Sequence, residues 1–569
     1  MSYPLNIYAL ILERQAGSAD YLHYGLFEGP DDAVGRAQAR AVELLLTRIP
    51  SQGRILDVGC GFGGLTELLR RRGNQVVGMT PDASQIALAQ SRYGFDLPVK
   101  CTKLEDFSED AGQWDVLAFH ESSQYVPMLK LFERASALLR EDGSIVILDE
   151  FACRRVGAGQ ENLHLKDHFI ELAKRFGFVC DEAVDLTARA QPSLDFLIRA
   201  IERQSDDLAA MTGVEKERLT ALLESNREYL AKYQQGRFGY FLLHFKRQSI
   251  PRWRLSELSQ EDQPAVSALF KEVFGHELSP AMWNWKYGHG RGESIGLWDG
   301  DRLIAHYGGT VRQFVKDGTV LTACQNGDVM VAANVRGSLV RHGPLFQVAA
   351  TYLEQFIGYG RRYLFAYGFP NERAYRLPHK LGLYSLPTAH VNEASWPAAA
   401  AAFGWLTVED LDPSAQDGQK AIDELWKRMS RELGHLYVGV RDAEYIRNRY
   451  AGHPTHSYRI LLVRHRWLRS NLAVIVVRSD GARLELLDWV AGVAQMPKIV
   501  AAARLVAGRC GLSEVFLWAS DPILEMLKRT SPAMRDLQVL VPNNAWTIGL
   551  SAEALAGKLW LTGGDTDFH

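Results

Sequence analysis

The segment Leu56-Asp57-Val58-Gly59-Cys60-Gly61-Phe62-Gly63-Gly64 constrains this chain more than any other. An apolar run over residues 54–58 reads as a buried strand, and a helical pattern begins near Leu65. The glycines between them let the backbone turn sharply and let a ligand approach without a Cβ clash. N–H groups at the helix start then face an electron-rich group. Gly59-x-Gly61-x-x-Gly64 also fits the G-x-G-x-x-G spacing, which by itself equally admits a dinucleotide. Asp57 separates the alternatives. A carboxylate just before the glycines repels a pyrophosphate and suits a cationic or zwitterionic ligand.

Around this motif, residues 50–150 alternate apolar runs with helical patterns. Residues 54–58, 75–79, 115–119 and 144–148 read as strands, and 65–72, 84–93 and 129–139 as helices. That rhythm implies an α/β, mostly parallel, doubly wound sheet. A long helical region follows at 163–177 and 193–233, then a last strand at 239–246. The chain has 569 residues, enough for about three or four domains. Lys and Arg number 64 against 67 Asp and Glu, a net charge of −3. This balance gives no electrostatic reason to expect a nucleic-acid partner. The six cysteines form no CxxC pair, so neither a zinc site nor a disulfide framework is expected. No signal peptide is expected at residues 1–17, no apolar run reaches about 18 residues, and a cytoplasmic location is expected.

The glycine motif resembles the first motif of the class I S-adenosylmethionine-dependent methyltransferases, over about residues 20–246. The resemblance implies that Asp57, Gly59, Gly61 and Gly63 cradle the methionine end and ribose of S-adenosyl-L-methionine. At the second strand end most of these enzymes carry an acid for the ribose; here Thr80 stands, followed by Asp82 and Gln85. This is similar to the small-molecule branch with tocopherol, sterol and cyclopropane-fatty-acid methyltransferases. It implies that Thr80 and Gln85 bind the ribose and that an N-terminal segment with His23, Tyr24 and Gln38 closes over the cofactor. Glu105 or Asp106 lies where the adenine amino group is held.

Residues 119–125 end the fourth strand, where open α/β sheets bind ligands. Methyl transfer is an in-line displacement that needs alignment and, for a hydroxyl or acidic carbon, a base. His120 and Glu121 are candidates for that base, and Tyr125 for a pocket wall. Glu161, His164 and His168 share a helical face, but with no further ligand in view they read as a cap or helix surface, and no metal is expected.

Beyond a linker near residues 247–254 the pattern changes. Residues 295–298 and 301–305 read as a hairpin about Asp299-Gly300, followed by a strand at 327–331 and a helix at 345–357. Between those two lie Arg336, Gly337, Arg341 and Gly343, a Gly/Arg-rich turn of phosphate-binding type. With Phe369-Pro370-Asn371 and Lys380-Leu381-Gly382, this resembles the GNAT acyltransferases. The resemblance implies an acyl-coenzyme A, such as acetyl-CoA, held at Arg336, Gly337, Arg341, Gly343 and Asn371. Asp328, Glu372 and Tyr375 are candidate catalytic groups. The turn departs from the family pattern, since His342-Gly343-Pro344 replaces the second glycine and proline removes a donor. The Trp285-Lys286-Tyr287 run and the Asp299-Gly300 turn have echoes at Arg449-Tyr450 and Asp480-Gly481, which suggests two copies of one fold.

The expected architecture is a Rossmann-like methyltransferase sheet at 1–249 followed by GNAT-like α/β domains at 250–395 and 396–569. The expected function is bifunctional: methyl transfer to a small-molecule acceptor plus acyl transfer to an amine. The C-terminal residues 560–567 resemble tails of GNAT-like proteins encoded with surface-polysaccharide genes, which suggests a carbohydrate-related acceptor. The alternative is a methyltransferase carrying a non-catalytic GNAT-like module. A dinucleotide-dependent oxidoreductase is disfavoured by Asp57 and Thr80. A homodimer is an open expectation.

Overall fold

Apolar runs in the first part of the chain form parallel strands because helices cover both faces of the sheet they build. The strands are β1 (Arg54–Val58), β2 (Gln75–Thr80), β3 (Val99–Cys101), β4 (Trp114–His120), β5 (Leu139–Ala152), β6 (Phe178–Asp185) and β7 (Phe238–Arg247). Their order is β3-β2-β1-β4-β5-β7-β6, with β7 antiparallel to both neighbours. The chain steps from β1 to β2 on one side and returns to β4 on the other, so a crevice opens at the carboxyl ends of β1 and β4. This computed structural model describes residues 3–17, 20–29, 31–154, 163–336, 343–399 and 404–566.

The chain divides near Ser256, within the strand that leads from a first unit into a second. In the first, the four expected strands lie at β1, β2, β4 and β5, and the expected last strand is β7. Two further strands were not expected. β3 is only three residues long, and among the described residues β6 pairs with β7 alone at the sheet edge. The helices Leu5–Ala16, Pro192–Thr212 and Lys216–Gln234 pack through Ile7, Ile11, Leu197, Ile201 and Leu219. Among the described residues no helix is long and apolar enough to cross a membrane.

The second unit contains two seven-stranded sheets. The first holds β8 (Arg254–Glu257), β9 (Gly292–Asp299), β10 (Arg302–Lys316), β11 (Thr319–Val331) and β12 (Phe365–Tyr367). The second holds β13 (Tyr384–Pro397), β14 (Leu406–Asp410), β16 (Arg459–His465), β17 (Asn471–Asp480), β18 (Arg483–Val490), β19 (Glu514–Ser520) and β20 (Ala533–Asn544). The residues echoed in the sequence fall at partly equivalent places in these two sheets. Gly300 turns the β9–β10 hairpin at φ +60°, whereas Gly481 turns β17–β18 at φ +58°, the place held in the first sheet by Gly318, which turns β10–β11 at φ +77°. Tyr287 donates its hydroxyl to Asp328 on β11 at 2.7 Å, and Tyr450 donates to Asp488 on β18 at 2.9 Å.

The halves do not sort along the sequence. β13 inserts between β19 and β20, while β15 (Tyr437–Gly439) and β21 (Leu559–Trp560) complete the first sheet beside β10. A division at 395/396 would cut β13 and strip β15 and β21 from the sheet they extend. The prolines that suggested a break there sit where strands tolerate them. Pro387 lies at a register shift, and Pro397 ends β13.

A buried charge network joins the two sheets. Arg441, fully buried, donates to Asp488 at 2.7 Å and to Asp565 at 2.5 Å. Arg312 on β10 donates to the other oxygen of Asp565 at 2.9 Å and lies 3.7 Å from the Tyr445 ring centre. Removing one member leaves charges buried without compensation. Arg441→Met is therefore expected to destabilise the second unit by about 3–5 kcal/mol, measured by urea denaturation. An unchanged midpoint would contradict this reading of the network.

Candidate functional site

The crevice at the carboxyl ends of β1, β2 and β4 holds a cavity of about 400 Å³. Gly59, Gly61 and Gly63 have φ of +80°, +52° and +81°, conformations that L side chains rarely adopt. A Cβ on Gly59 would fall 2.3 Å from the Ser122 Cβ, whereas one on Gly61 would meet only open space. Gly59 is thus fixed by packing against the β4 end, and Gly61 lies on the ligand side. Gly63 does not line the cavity; it caps the following helix, Gly64–Arg71.

Asp57 lines the cavity, is 1% exposed and accepts from the Thr66 hydroxyl at 2.6 Å. Burial pushes its carboxyl up to about 6. Thr80 and Gln85 also line the cavity and bond each other at 2.8 Å. Asp82, which also lines it, caps the helix Ala83–Tyr93 through the Ser84 and Gln85 N–H groups. Glu105 reaches the wall, whereas Asp106 is exposed and does not line the cavity. These residues fit S-adenosylmethionine: a carboxylate for its ammonium, bare backbone beside it, and hydroxyl and amide groups for a ribose.

The far end is built by the β4 terminus and the N-terminal segment. Leu5, Asp20, Tyr21, Leu22 and His23 line the cavity, and the Gln38 side chain donates to His23 O at 2.8 Å to hold that segment. The His23 and His120 rings stack with centroids 3.6 Å apart. Neither Nε2 atom has a hydrogen-bond partner among the described residues. Burial holds His23 down at about 4 and His120 well below its ordinary value, so both rings are neutral at neutral pH. His23, His120 and Glu121 bring donor atoms within 4.8 Å of one another. The ring planes are only 23° apart, so their lone pairs run side by side and do not converge as metal ligation requires.

Glu121 sits at φ +53°, a strained conformation for a non-glycine residue. Its Oε1 accepts from the Tyr24 N–H at 2.6 Å and the Tyr240 hydroxyl at 2.8 Å. Tyr24 thus holds Glu121 and does not itself line the cavity, while Tyr125, 78% exposed, stands at its mouth. Behind Glu121 lies a group the sequence reading missed. Glu150 takes hydrogen bonds from Tyr233, Tyr24 and Tyr229, and Asp149 takes them from Ser123. Burial raises Glu121 well above the carboxylate range, Asp149 to about 6 and Glu150 to about 7. The adjacent acids at the end of an expected strand were the available signal. His164 bonds the carbonyls of Ser123 and Val126 at 3.1 and 2.9 Å, and Glu161 lies outside the described residues.

In the second unit, Arg336 and Gly343 flank the expected phosphate turn, while Gly337 and Arg341 lie outside the described residues. Arg336 is exposed and donates to Val331 O at 2.6 Å; Gly343 caps the helix Pro344–Phe356. Asn371 accepts from the Ala374 N–H at 2.9 Å, so its side chain is a helix cap. The three candidate catalytic groups do not converge. Asp328 is buried against Lys286 at 2.7 Å, Glu372 pairs with Arg376 at 2.5 Å, and the Tyr375 hydroxyl donates to Ser385 O at 2.9 Å.

Each sheet of this unit contains a fork. β11 and β12 run parallel from Ala323↔Phe365 to Gln325↔Tyr367, and β18 and β19 from Arg483↔Glu514 to Glu485↔Phe516, before parting. Backbone groups facing such a gap need partners. In the second fork the chain supplies them itself. Thr562 bridges Ala519, the Ser520 N–H donates to Leu561 O at 3.0 Å, and the Thr562 hydroxyl donates to Asp488 at 3.3 Å. At the turn after β18, Glu432 accepts from the Val493 N–H at 2.6 Å. In the first sheet, no described strand pairs with β11 on that side beyond Gln325.

Burying Asp57 as an anion costs stability. A carboxyl raised from 3.8 to about 6 binds its proton more tightly when folded. That contribution is present below the unfolded value and is lost as pH rises through about 6, on the order of 3 kcal/mol. Asp149 and Glu150 act in the same direction. Asp57→Asn is expected to raise the unfolding free energy at neutral pH and flatten its decline between about pH 4 and about pH 7. An unaltered pH profile in chemical denaturation would contradict the assignment.

Comparison with known proteins finds two domain matches. Residues 55–143 match the family model described as a methyltransferase domain, and residues 254–376 that of an acetyltransferase (GNAT) domain. The ubiquinone biosynthesis O-methyltransferase of Nitrobacter winogradskyi is 35% identical over 94 residues, 16% of this chain and 36% of that protein. The mitochondrial ubiquinone biosynthesis O-methyltransferase of Rattus norvegicus is 38% identical over 103 residues, 16% of this chain and 30% of that protein. The chain therefore spans only about a third of the length of these curated relatives. A cyclopropane synthase structure from Mycobacterium tuberculosis aligns at TM-score 0.36 and 18% identity, covering 39% of this chain and 89% of that one. The chain thus carries a match to a methyltransferase domain in its first unit and a match to an acetyltransferase (GNAT) domain in its second.

Proposed function

We propose that the N-terminal unit transfers a methyl group from S-adenosylmethionine to a hydroxyl of a small molecule. The observation that carries this reading is the polarity of the cavity, with a buried carboxylate at one end and uncharged imidazoles at the other. The cofactor supplies, when bound, a methyl group on a sulfonium. Asp57 takes its ammonium, the backbone at Gly59–Gly61 lies along it, Thr80 and Gln85 face the ribose, and Glu105 faces the adenine amino group. His120 receives the proton of the acceptor hydroxyl, because burial keeps its ring unprotonated and its Nε2 has no partner among the described residues. Glu121, fixed through Oε1 by Tyr24 and Tyr240, positions the acceptor. The identity to O-methyltransferases supports a hydroxyl as the acceptor group.

With alignment supplying much of the catalysis, a base adds about 10²–10⁴-fold. His120→Gln is expected to lower kcat by that factor with any hydroxylated acceptor the wild type methylates, read as S-adenosylhomocysteine release. Affinity for S-adenosylhomocysteine should be unchanged. An equal loss of that affinity would assign His120 to cofactor binding instead.

For the C-terminal unit we propose that the first half binds one acyl-CoA along the fork of β11 and β12 and passes its acyl group to an amine. The second half does not bind one, because the tail at Leu561–Asp565 and the Glu432 carboxylate fill the corresponding places. Titration of the full chain with acetyl-CoA is expected to saturate at one equivalent. Two equivalents would contradict the filled second fork, and none would contradict the acyl-CoA reading.

A further inference from the structure

The tail that fills the second fork has another face. Gly564, Asp565 and Thr566 form one wall of a second cavity, of about 150 Å³. Gln325 and Tyr367 form another, and these two are the last paired residues before β11 and β12 part. The cavity therefore opens at the root of the first fork, and the second half of the unit closes it.

Its charge is one-sided. Lys286, Arg291, Arg312 and Arg449 line it, and among the described residues Asp565 is the one lining carboxylate. Asp565 already serves two guanidinium groups, those of Arg312 and Arg441. Lys286 is 6% exposed, and Arg312 and Arg449 are 8% exposed. Lys286 rests on Asp328, a carboxylate outside the lining. Arg449 donates to the carbonyls of Gly564 at 3.2 Å and Thr566 at 2.5 Å, which turns its guanidinium along the tail. Its carbon lies 5.2 Å from the Trp285 ring centre, and Trp285 also lines the cavity. Buried cations interact strongly with any anion that reaches them, because the surrounding dielectric is low. A neighbouring group registers the same field. His453 is 8% exposed, with its ring 4.6 Å from that of Trp285. Burial first, then Arg449, His456, Arg478 and Lys286, push it down to about 3.

We propose that this cavity is a binding site for the carboxylate or phosphate group of a small molecule, held by Arg312, Arg449, Lys286 and Arg291 at the root of the first fork. The molecule is the amine that accepts the acyl group, a role that rests on the acyl-transfer reading; the anion site itself does not. The second half, without a cofactor of its own, contributes Arg449, Tyr445 and the tail as the wall of this site. An acceptor carrying both an amine and an anionic group fits this lining, with its anion among the cations and its amine directed to the fork.

The test is titration of the full chain with inorganic phosphate and, separately, with succinate, followed by calorimetry in a low-salt buffer without either anion. Saturable binding of at least one is expected, and the tighter of the two tells whether the natural group is a phosphate or a carboxylate. Arg291→Gln, at a half-buried position, is expected to weaken it about tenfold, and Arg449→Gln by at least as much. Acetyl-CoA affinity should be unchanged in Arg291→Gln, and saturating acetyl-CoA should leave the anion bound. Absence of saturable binding of both anions, indifference to Arg291→Gln, or displacement of the anion by acetyl-CoA would overturn the proposal. Anion binding that persists in a chain unable to bind acetyl-CoA would keep the site and remove the acyl-transfer role.

Discussion

Wherever neighbouring parallel strands end or part, the backbone N–H and C=O groups between them lose their partners, and something else must satisfy them. This constraint organises all three sheets. In the first, the chain reverses direction across β1 and β4, and the crevice there is lined by glycine backbone and Asp57. In the other two, a parallel pair three residues long opens into a fork. One fork is filled by the tail of the chain, and beside the other lies a cavity lined by cations. The residues with functional promise collect at these places because a folded sheet leaves polar backbone open there.

The chemistry of the two units is opposite in sign. The cavity of the first unit is backed by carboxyls, Asp57, Glu121, Asp149 and Glu150, that burial raises toward or past neutrality. Tyrosine hydroxyls, not basic side chains, hold Glu121 and Glu150. Such a wall favours a cationic donor, since each carboxyl ionises more readily once a positive charge is near. In the C-terminal unit, buried arginines are balanced pairwise by Asp488 and Asp565 in the network, and the excess of positive charge falls on the cavity. Both arrangements cost stability in the unliganded chain, and a ligand of complementary charge offsets that cost.

Much of the first unit was legible in the sequence because its signals are local. The glycine loop, its flanking apolar runs and the helix after it lie within a few tens of residues, and each element matches its expected place. Short or edge elements carry too little pattern, which is why β3 and β6 were missed. The site was legible where strand ends announce it, at Asp57, Thr80, His120 and Glu121. It was not legible where a residue acts through a distant one. Tyr240 reaches Glu121 across 119 positions, and His23 stacks on His120 from the N-terminal segment. In the second unit the turns at Gly300 and Gly481 were readable, whereas the pairing of Tyr450 with Asp488 was not. The exchange of β13, β15 and β21 between sheets was not, because strand pairing over more than a hundred residues leaves no periodic trace. Asn371, expected to hold a ligand, has its side chain engaged as a helix cap.

The central claim is that the crevice above Val58 holds a sulfonium donor with its methyl group toward His120. A crystal structure of the chain with S-adenosylhomocysteine tests it most directly. The account predicts the amino-acid end of the ligand at Asp57, its ribose beside Thr80 and Gln85, and its sulfur facing the stacked histidines. Density for the ligand elsewhere, or a crevice that admits a nicotinamide dinucleotide and rejects S-adenosylhomocysteine, would contradict it.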